Sequence, residues 1–151
     1  MKLLLSLFTV FMITGTLLAD EQGSGEGLKW YTNYQQAAEV AQKDRKPMIL
    51  FFTGSDWCGW CKKLDKEVFA TPEFAQMAGN KFVYVMLDFP MNQQQSEDIK
   101  QQNAQLKQRY GVTGYPTVVI LDQSGGFLAE TGYRSGGGAA YAKYLSEFFN
   151  S

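Results

Sequence analysis

The chain has 151 residues, of which 45% are hydrophobic and 19% are charged, and this composition is typical of one packed globular domain. Fourteen basic and fifteen acidic residues give a net charge of −1. This balance argues against a nucleic-acid partner, because such binding needs a concentrated basic face. The chain has no histidine, which excludes histidine-activated nucleophiles and histidine-ligated zinc or copper. The two cysteines, Cys58 and Cys61, are too few for a four-cysteine zinc site within one chain.

The first 19 residues are typical of a secretory signal peptide. Lys2 precedes an apolar run over 3–18, and Ala19 supplies a small residue before a polar stretch. The run is shorter than the roughly 20 residues that a membrane-spanning helix needs, and an uncleaved anchor is the alternative. We therefore expect a signal peptide over 1–19, a polar linker over 20–27 and one domain over 28–151 that is periplasmic or secreted.

The chain after the linker predicts alternating helices and strands. The apolar spacing over 34–44 predicts a helix, with Asn33 as its N-cap. The continuous apolar run over 48–52 predicts a strand that is buried on both faces. Helical spacing returns over 62–69, and Thr71-Pro72 is typical of a further helix start.

The second half of the chain continues this alternation. A buried strand is predicted over 82–87, and a polar surface helix over 92–109, for which a glutamine-rich interaction tract is the alternative. A third strand over 117–121 leads through a glycine-containing turn into a fourth over 127–131. This order predicts an α/β fold with a central mixed β-sheet. A closing helix follows, with an apolar face made of Tyr141, Tyr144, Leu145, Phe148 and Phe149.

The segment most suited to chemistry is Trp57-Cys58-Gly59-Trp60-Cys61, which follows a buried strand and opens a helix. The free N–H groups and the dipole of a helix start stabilise a thiolate, so Cys58 is the predicted nucleophile. Cys61 lies one turn further along, where it can attack a mixed disulfide at Cys58 and release the second product. The spacing thus predicts a reversible dithiol–disulfide pair.

Other interpretations of the two cysteines stay open at this point. A purely structural disulfide would close a loop too small to constrain the chain much. Two thiolates could hold copper(I) or zinc if a partner completed the site, as in a copper metallochaperone. A non-catalytic binding module, in which the cysteines are incidental, is a further alternative.

The sequence resembles the thioredoxin superfamily in two motifs. The Trp-Cys-Gly-Trp-Cys-Lys segment over 57–62 is similar to the active-site motif of that family, and Gly-Tyr-Pro-Thr over 114–117 resembles its cis-proline loop. With the closing amphipathic helix, the resemblance covers roughly residues 28–150. Together with the signal peptide it extends to extracytoplasmic Dsb-type reductases, the DsbH-like group among them. The resemblance implies a thioredoxin fold, with a central mixed β-sheet flanked by helices on both faces.

The resemblance also implies roles for individual residues. Cys58 and Cys61 would form the redox-active disulfide, and Pro116 would follow a cis peptide bond that packs against it. Tyr115 would present its backbone to an extended substrate segment. The remaining implied substrate-groove residues are Trp57, Gly59, Trp60 and Gly132.

The implied function is thiol–disulfide exchange on protein substrates that carry disulfides or exposed cysteines. No cofactor and no metal is required, because the sulfurs carry the electrons. A membrane-bound thiol reductant is the implied donor, and we expect a monomer without a nucleic-acid partner.

Two departures from the family pattern affect the expected chemistry. Phe52 stands where thioredoxins have a buried acid, so Asp56, Glu67 or water would have to take the proton of Cys61. Trp60 stands where cytoplasmic thioredoxins have proline, and residues between the cysteines tune the reduction potential. The strongly oxidising pattern has a histidine between the cysteines, and its absence favours a reductase or isomerase over an oxidase.

Overall fold

The computed structural model describes residues 27–149. The predicted signal peptide and nearly all of the predicted linker lie outside the described residues. Within 27–149, no helix combines the length and the apolar character needed to cross a membrane.

The central sheet is built on the two apolar runs that the sequence predicts to be buried. The strands are β1 (Trp30–Tyr31), β2 (Met48–Thr53), β3 (Val83–Asp88), β4 (Thr117–Leu121) and β5 (Phe127–Thr131). They lie in the order β1-β3-β2-β4-β5, with β1, β3 and β2 parallel and with β4 and β5 antiparallel to their neighbours. Every residue of β2 is buried, because helices cover both faces of the sheet.

Most helices begin at a polar side chain that accepts a backbone N–H. Asn33, Thr71 and Ser96 each cap the N–H three residues further on, at 3.0, 3.3 and 3.4 Å. The helices are α1 (Tyr34–Asp44), α2 (Gly59–Leu64), α3 (Pro72–Ala78), α4 (Glu97–Arg109) and α5 (Gly137–Glu147). A π-helical turn over Asp65–Phe69 continues α2 directly.

Two hydrophobic cores lie on opposite faces of the sheet. One core packs α2, α3 and α5 against the sheet and contains many aromatic rings, including Phe51, Phe69 and Tyr84. The other packs α1 and α4 against the opposite face, where Ala37 and Leu106 meet the strands. The predicted thioredoxin fold, a mixed sheet with helices on both faces, is therefore confirmed.

The structure adds two elements that the sequence did not predict. Strand β1 has two residues, too few for any hydrophobic period, and it is held by Trp30, whose ring lies 5.2 Å from Phe69 and 5.4 Å from Tyr84. The π-helical turn interrupts the predicted helix over 62–69, and Ala70 N–H donates to the Asp65 carbonyl at 2.8 Å.

The glutamine-rich helix begins at Glu97 rather than at residue 92.

Candidate active site

The two cysteines form a disulfide at the start of α2, with their Cα atoms 5.3 Å apart. Cys58 is the N-cap of α2, and its Sγ accepts the backbone N–H of Cys61 at 3.2 Å. Cys58 is 6% exposed and Cys61 is 1% exposed, so Cys58 is the outer sulfur. A thiolate at Cys58 would keep this N–H as a hydrogen-bond donor, which stabilises the negative charge.

The sheet brings three loops to the same edge. Phe52, near the end of β2, pairs with Thr117 at the start of β4, and Val118 pairs with Thr131 at the end of β5. The disulfide loop after β2, the loop before β4 and the loop after β5 therefore lie side by side. These are the three segments in which the sequence placed its candidate residues.

Pro116 and Gly132 occupy the second and third of these loops. The Tyr115–Pro116 peptide bond is cis, as the resemblance implied. Gly132 lies against Pro116, since a Cβ added to this glycine would be 3.3 Å from the Pro116 carbonyl oxygen. Tyr141 of α5 donates its hydroxyl to the Gly132 carbonyl at 3.0 Å, which fixes the loop.

Trp57 forms one rim of the disulfide loop. Its indole N–H donates to the Phe89 carbonyl at 2.8 Å, and its ring meets Tyr115 edge-on with centroids 5.7 Å apart. The indole lies directly over Gly54, where any Cβ would overlap it. Trp57 is still 39% exposed, so it can cover a bound chain while its orientation is fixed.

Trp60, which lies between the two cysteines in the chain, is a second large ring at this site and is 58% exposed. Its ring lies 5.3 Å from that of Tyr133, and Lys63 Nζ lies 4.9 and 5.0 Å from the two ring centroids. The Tyr133 hydroxyl donates to Glu67, which raises the pKa of Tyr133. Gly59, between the cysteines, is exposed and has open space where a Cβ would lie.

Two carboxylates connect the disulfide loop to the end of β3 and the loop that follows it. This structural role was not predicted from the sequence. Asp88 accepts the N–H and the hydroxyl of Ser55 at 2.9 and 2.5 Å. Asp56 accepts the N–H groups of Met91 and Asn92 at 3.0 and 2.6 Å. These N–H donors hold the pKa of Asp56 below its usual value of 3.8. Both carboxylates therefore help to fix the loop whose Phe89 carbonyl holds Trp57.

At the position where thioredoxins have a buried acid, this chain has Phe52, which belongs to an aromatic stack. Phe52 is fully buried, and its ring stacks on Phe89 with centroids 6.4 Å apart. The two candidate substitutes are engaged elsewhere, Asp56 by the loop after β3 and Glu67 by Tyr133. Of the three acceptors considered from the sequence, this arrangement favours water for the proton of Cys61.

Comparisons with known proteins agree with the fold and with the cysteine pair described above. A family described as a thioredoxin-like domain matches residues 34–148. The protein named disulfide bond reductase DsbH, from Chlamydia pneumoniae, is 45% identical over 76% of this chain and 68% of its own length. The thioredoxin-related protein DsbJ of the same organism is 34% identical over 80% of this chain, which spans only 37% of DsbJ.

Solved structures of Dsb-type and thioredoxin proteins superpose on this chain. A structure titled DsbH oxidoreductase superposes with a TM-score of 0.77 and 39% identity, covering 89% of this chain and 94% of its own. A thioredoxin from Thermus thermophilus superposes with a TM-score of 0.61 over 82% of this chain and 88% of its own, but at 22% identity it shows the fold alone. The chain belongs to the thioredoxin-like family and, within it, to the Dsb-type thiol–disulfide oxidoreductases.

Proposed function

We propose that the chain is an extracytoplasmic disulfide reductase that acts on protein substrates. The observation that carries the proposal is the Cys58–Cys61 disulfide at the start of α2, with the exposed tryptophans Trp57 and Trp60 adjacent to it in the chain. The apolar rims of Trp57 and Trp60 suit an extended polypeptide, because large rings bind many sequences without demanding one. The signal-peptide pattern over 1–19 supports a periplasmic or secreted location.

In the proposed reaction, the reduced pair gives two electrons to the substrate. The Cys58 thiolate attacks a substrate disulfide, so that a mixed disulfide forms and one substrate sulfur leaves as a thiolate. Cys61 then loses its proton, and its thiolate attacks Cys58 Sγ. The mixed disulfide breaks, the second substrate sulfur leaves as a thiolate, and the protein is left with the disulfide seen in the structure.

Two further observations favour reduction of the substrate disulfide over its oxidation. The relative with 45% identity carries the name disulfide bond reductase, and the Cys-Gly-Trp-Cys sequence contains no histidine. The proteins named thiol:disulfide interchange protein DsbD include one from Campylobacter jejuni that is 27% identical over 70% of this chain and 17% of its own length. We propose a membrane-bound thiol–disulfide interchange protein as the donor that reduces the Cys58–Cys61 pair again.

A trapping experiment tests the assignment of the two cysteines. In Cys61→Ser the mixed disulfide at Cys58 has no intramolecular attacker, so substrates should accumulate on the protein. In Cys58→Ser little should accumulate, because Cys61 is almost completely buried. Equal trapping by the two variants, seen on non-reducing gels, would show that the roles are wrongly assigned.

The direction is tested by insulin reduction with dithiothreitol as donor and by the reduction potential of the pair. A reductase should have a potential near the roughly −270 mV of thioredoxin, and an oxidase one near the roughly −120 mV of DsbA. Equilibration with glutathione buffers measures this potential. A value close to that of DsbA would overturn the reductase assignment while leaving thiol–disulfide exchange intact.

A further inference from the structure

A groove of about 460 Å³ lies beside the active site, between the end of α4 and the loop after β3. Its floor is apolar, because Phe89 and Val112 line it together with small residues. Its lining includes Phe89, Ala104, Lys107, Gly111, Val112 and Thr113. None of the catalytic steps above uses this groove.

The groove is continuous with the rim of the disulfide. The Tyr115 ring lies 5.7 Å from that of Trp57 and 5.2 Å from that of Phe89. Lys107 Nζ lies 5.0 Å from the Tyr115 centroid and 5.5 Å from the Phe89 centroid. Aromatic surface therefore runs without interruption from Trp57, next to Cys58, to Lys107 in the groove.

Lys107 is a half-buried cation held against ring faces. Among residues 27–149, the ion pairs found join Lys63 to Glu67 and Lys100 to Glu97, and neither includes Lys107. The segment 99–121 contains basic residues but no acidic residue. A lysine whose stem packs on aromatic rings presents its ammonium group at one place, where an anionic side chain can pair with it.

We propose that this groove is a second recognition site, which takes a substrate segment carrying an acidic side chain next to an apolar one. The carboxylate would pair with Lys107, and the apolar side chain would cover Phe89 and Val112. The steps from the Trp57 ring to the Tyr115 ring and from there to Lys107 Nζ measure 5.7 and 5.0 Å, and an extended chain rises about 3.3 Å per residue. The acidic residue would therefore lie about three residues from the substrate cysteine. This proposal rests on the proposed function, because it names a preference among the disulfides that the protein reduces.

The experiment compares disulfide peptides that differ at one position. One pair carries Asp or Lys three residues after the cysteine, and a second pair carries the same residues three positions before it. The full chain should reduce the Asp peptide of one pair with about fivefold higher kcat/KM, mainly through a lower KM. Added salt should reduce this preference, because it screens the ion pair.

Two substitutions on the same helix supply the matched test. Lys107→Glu should reverse the preference, and Lys107→Gln should abolish it even if the Glu variant folds poorly. Lys100→Glu makes the same charge change about two turns away, outside the lining of the groove, and should keep the wild-type preference.

The outcomes separate this inference from the function on which it rests. Equal kcat/KM for Asp and Lys in both pairs, with all peptides reduced, would overturn the second recognition site and leave the reductase function standing. A preference that persists in Lys107→Gln would also overturn it. Failure to reduce any peptide or the small disulfide 5,5′-dithiobis(2-nitrobenzoate) would overturn the reductase function and the inference together.

Discussion

At the scale of single residues, the orientation of Trp57 depends on a glycine three positions earlier. The indole lies over Gly54 and is held by the Phe89 carbonyl at 2.8 Å. A side chain at Gly54 would overlap the ring, so the indole could not keep both its place and its hydrogen bond. The glycine is thus required by a close approach rather than by its backbone angles.

Gly54→Ala should therefore displace Trp57 and weaken substrate binding. We expect the free energy of unfolding to fall by about 1 kcal/mol, the typical contribution of one hydrogen bond, and KM for insulin to rise several-fold. Denaturant melts and steady-state kinetics measure both effects. Gly59→Ala is the stability control, since its added Cβ meets open space and should leave the melt nearly unchanged. Equal melts for Gly54→Ala and the wild type would contradict the packing described for Trp57.

The residues that the sequence identified are those whose function follows from local order along the chain. Cys58, Cys61 and Pro116 belong to short motifs beside recognisable strands, and the structure brings them to one sheet edge. Phe89 and Lys107 were not predicted, because their importance comes from contacts with rings far away in sequence. No local pattern signals such contacts.

At the scale of elements, the disulfide loop and the loop after β3 act as one unit through Asp56. Its carboxylate accepts the N–H groups of Met91 and Asn92, and these bonds hold its pKa below 3.8. A lowered pKa in the folded state contributes stability above 3.8, and this stability is lost as the pH falls through the folded-state pKa. The joined loops should therefore loosen in acid.

Asp56→Asn should be less stable than the wild type at neutral pH, and the difference should shrink as the pH falls below 3.8. Unfolding by urea at a series of pH values measures it. Asp122→Asn is the matched control, because Ser124 and Gly126 lower the pKa of this carboxyl in the β4–β5 turn. Each variant should lose only the part of the acid dependence that its own carboxylate supplies, and only Asp56→Asn should slow insulin reduction. A pH-independent deficit in Asp56→Asn would show that the charge of Asp56 is not what holds the loop.

The short strand β1 shows an element that sequence patterns cannot predict. A strand of two residues is too short to show an alternation of apolar and polar side chains. It forms because Trp30 fills the aromatic core beside Tyr84 of β3. The Trp30 side chain is 1% exposed and packs against Phe51, Phe69 and Tyr84. Tertiary packing, not local preference, determines this part of the fold.

Trp30→Ala should destabilise the protein by about 3–5 kcal/mol, the usual cost of removing a large ring from a core. Trp30→Phe should cost less, since it keeps a ring in the same place. Thermal melting measures both, and reduction of a small disulfide by the folded fraction should be little changed. A melt of Trp30→Ala close to that of the wild type would show that β1 does not anchor the core.

At the scale of the whole molecule, most of the architecture could be predicted because each layer has its own pattern. The apolar runs of β2 and β3 indicate strands covered on both sides, and the spacing in α1 and α5 indicates helices that supply the cover. Strand order could not be predicted from those patterns. The resemblance to a known fold implied a mixed sheet with helices on both faces, which the structure confirms, and the order β1-β3-β2-β4-β5 is seen in the structure alone.

Because the cores on the two faces of the sheet carry the fold, the disulfide should contribute little to stability. It joins residues three positions apart, and so small a loop restricts the unfolded chain only slightly. The double variant Cys58→Ser with Cys61→Ala should therefore melt cooperatively and lose about 2 kcal/mol at most. Wild type reduced with dithiothreitol should melt similarly, which separates loss of the bridge from the substitutions. If both samples instead lost their cooperative transition, the bridge would be structural, and a redox cycle that opens it at every turnover would be untenable.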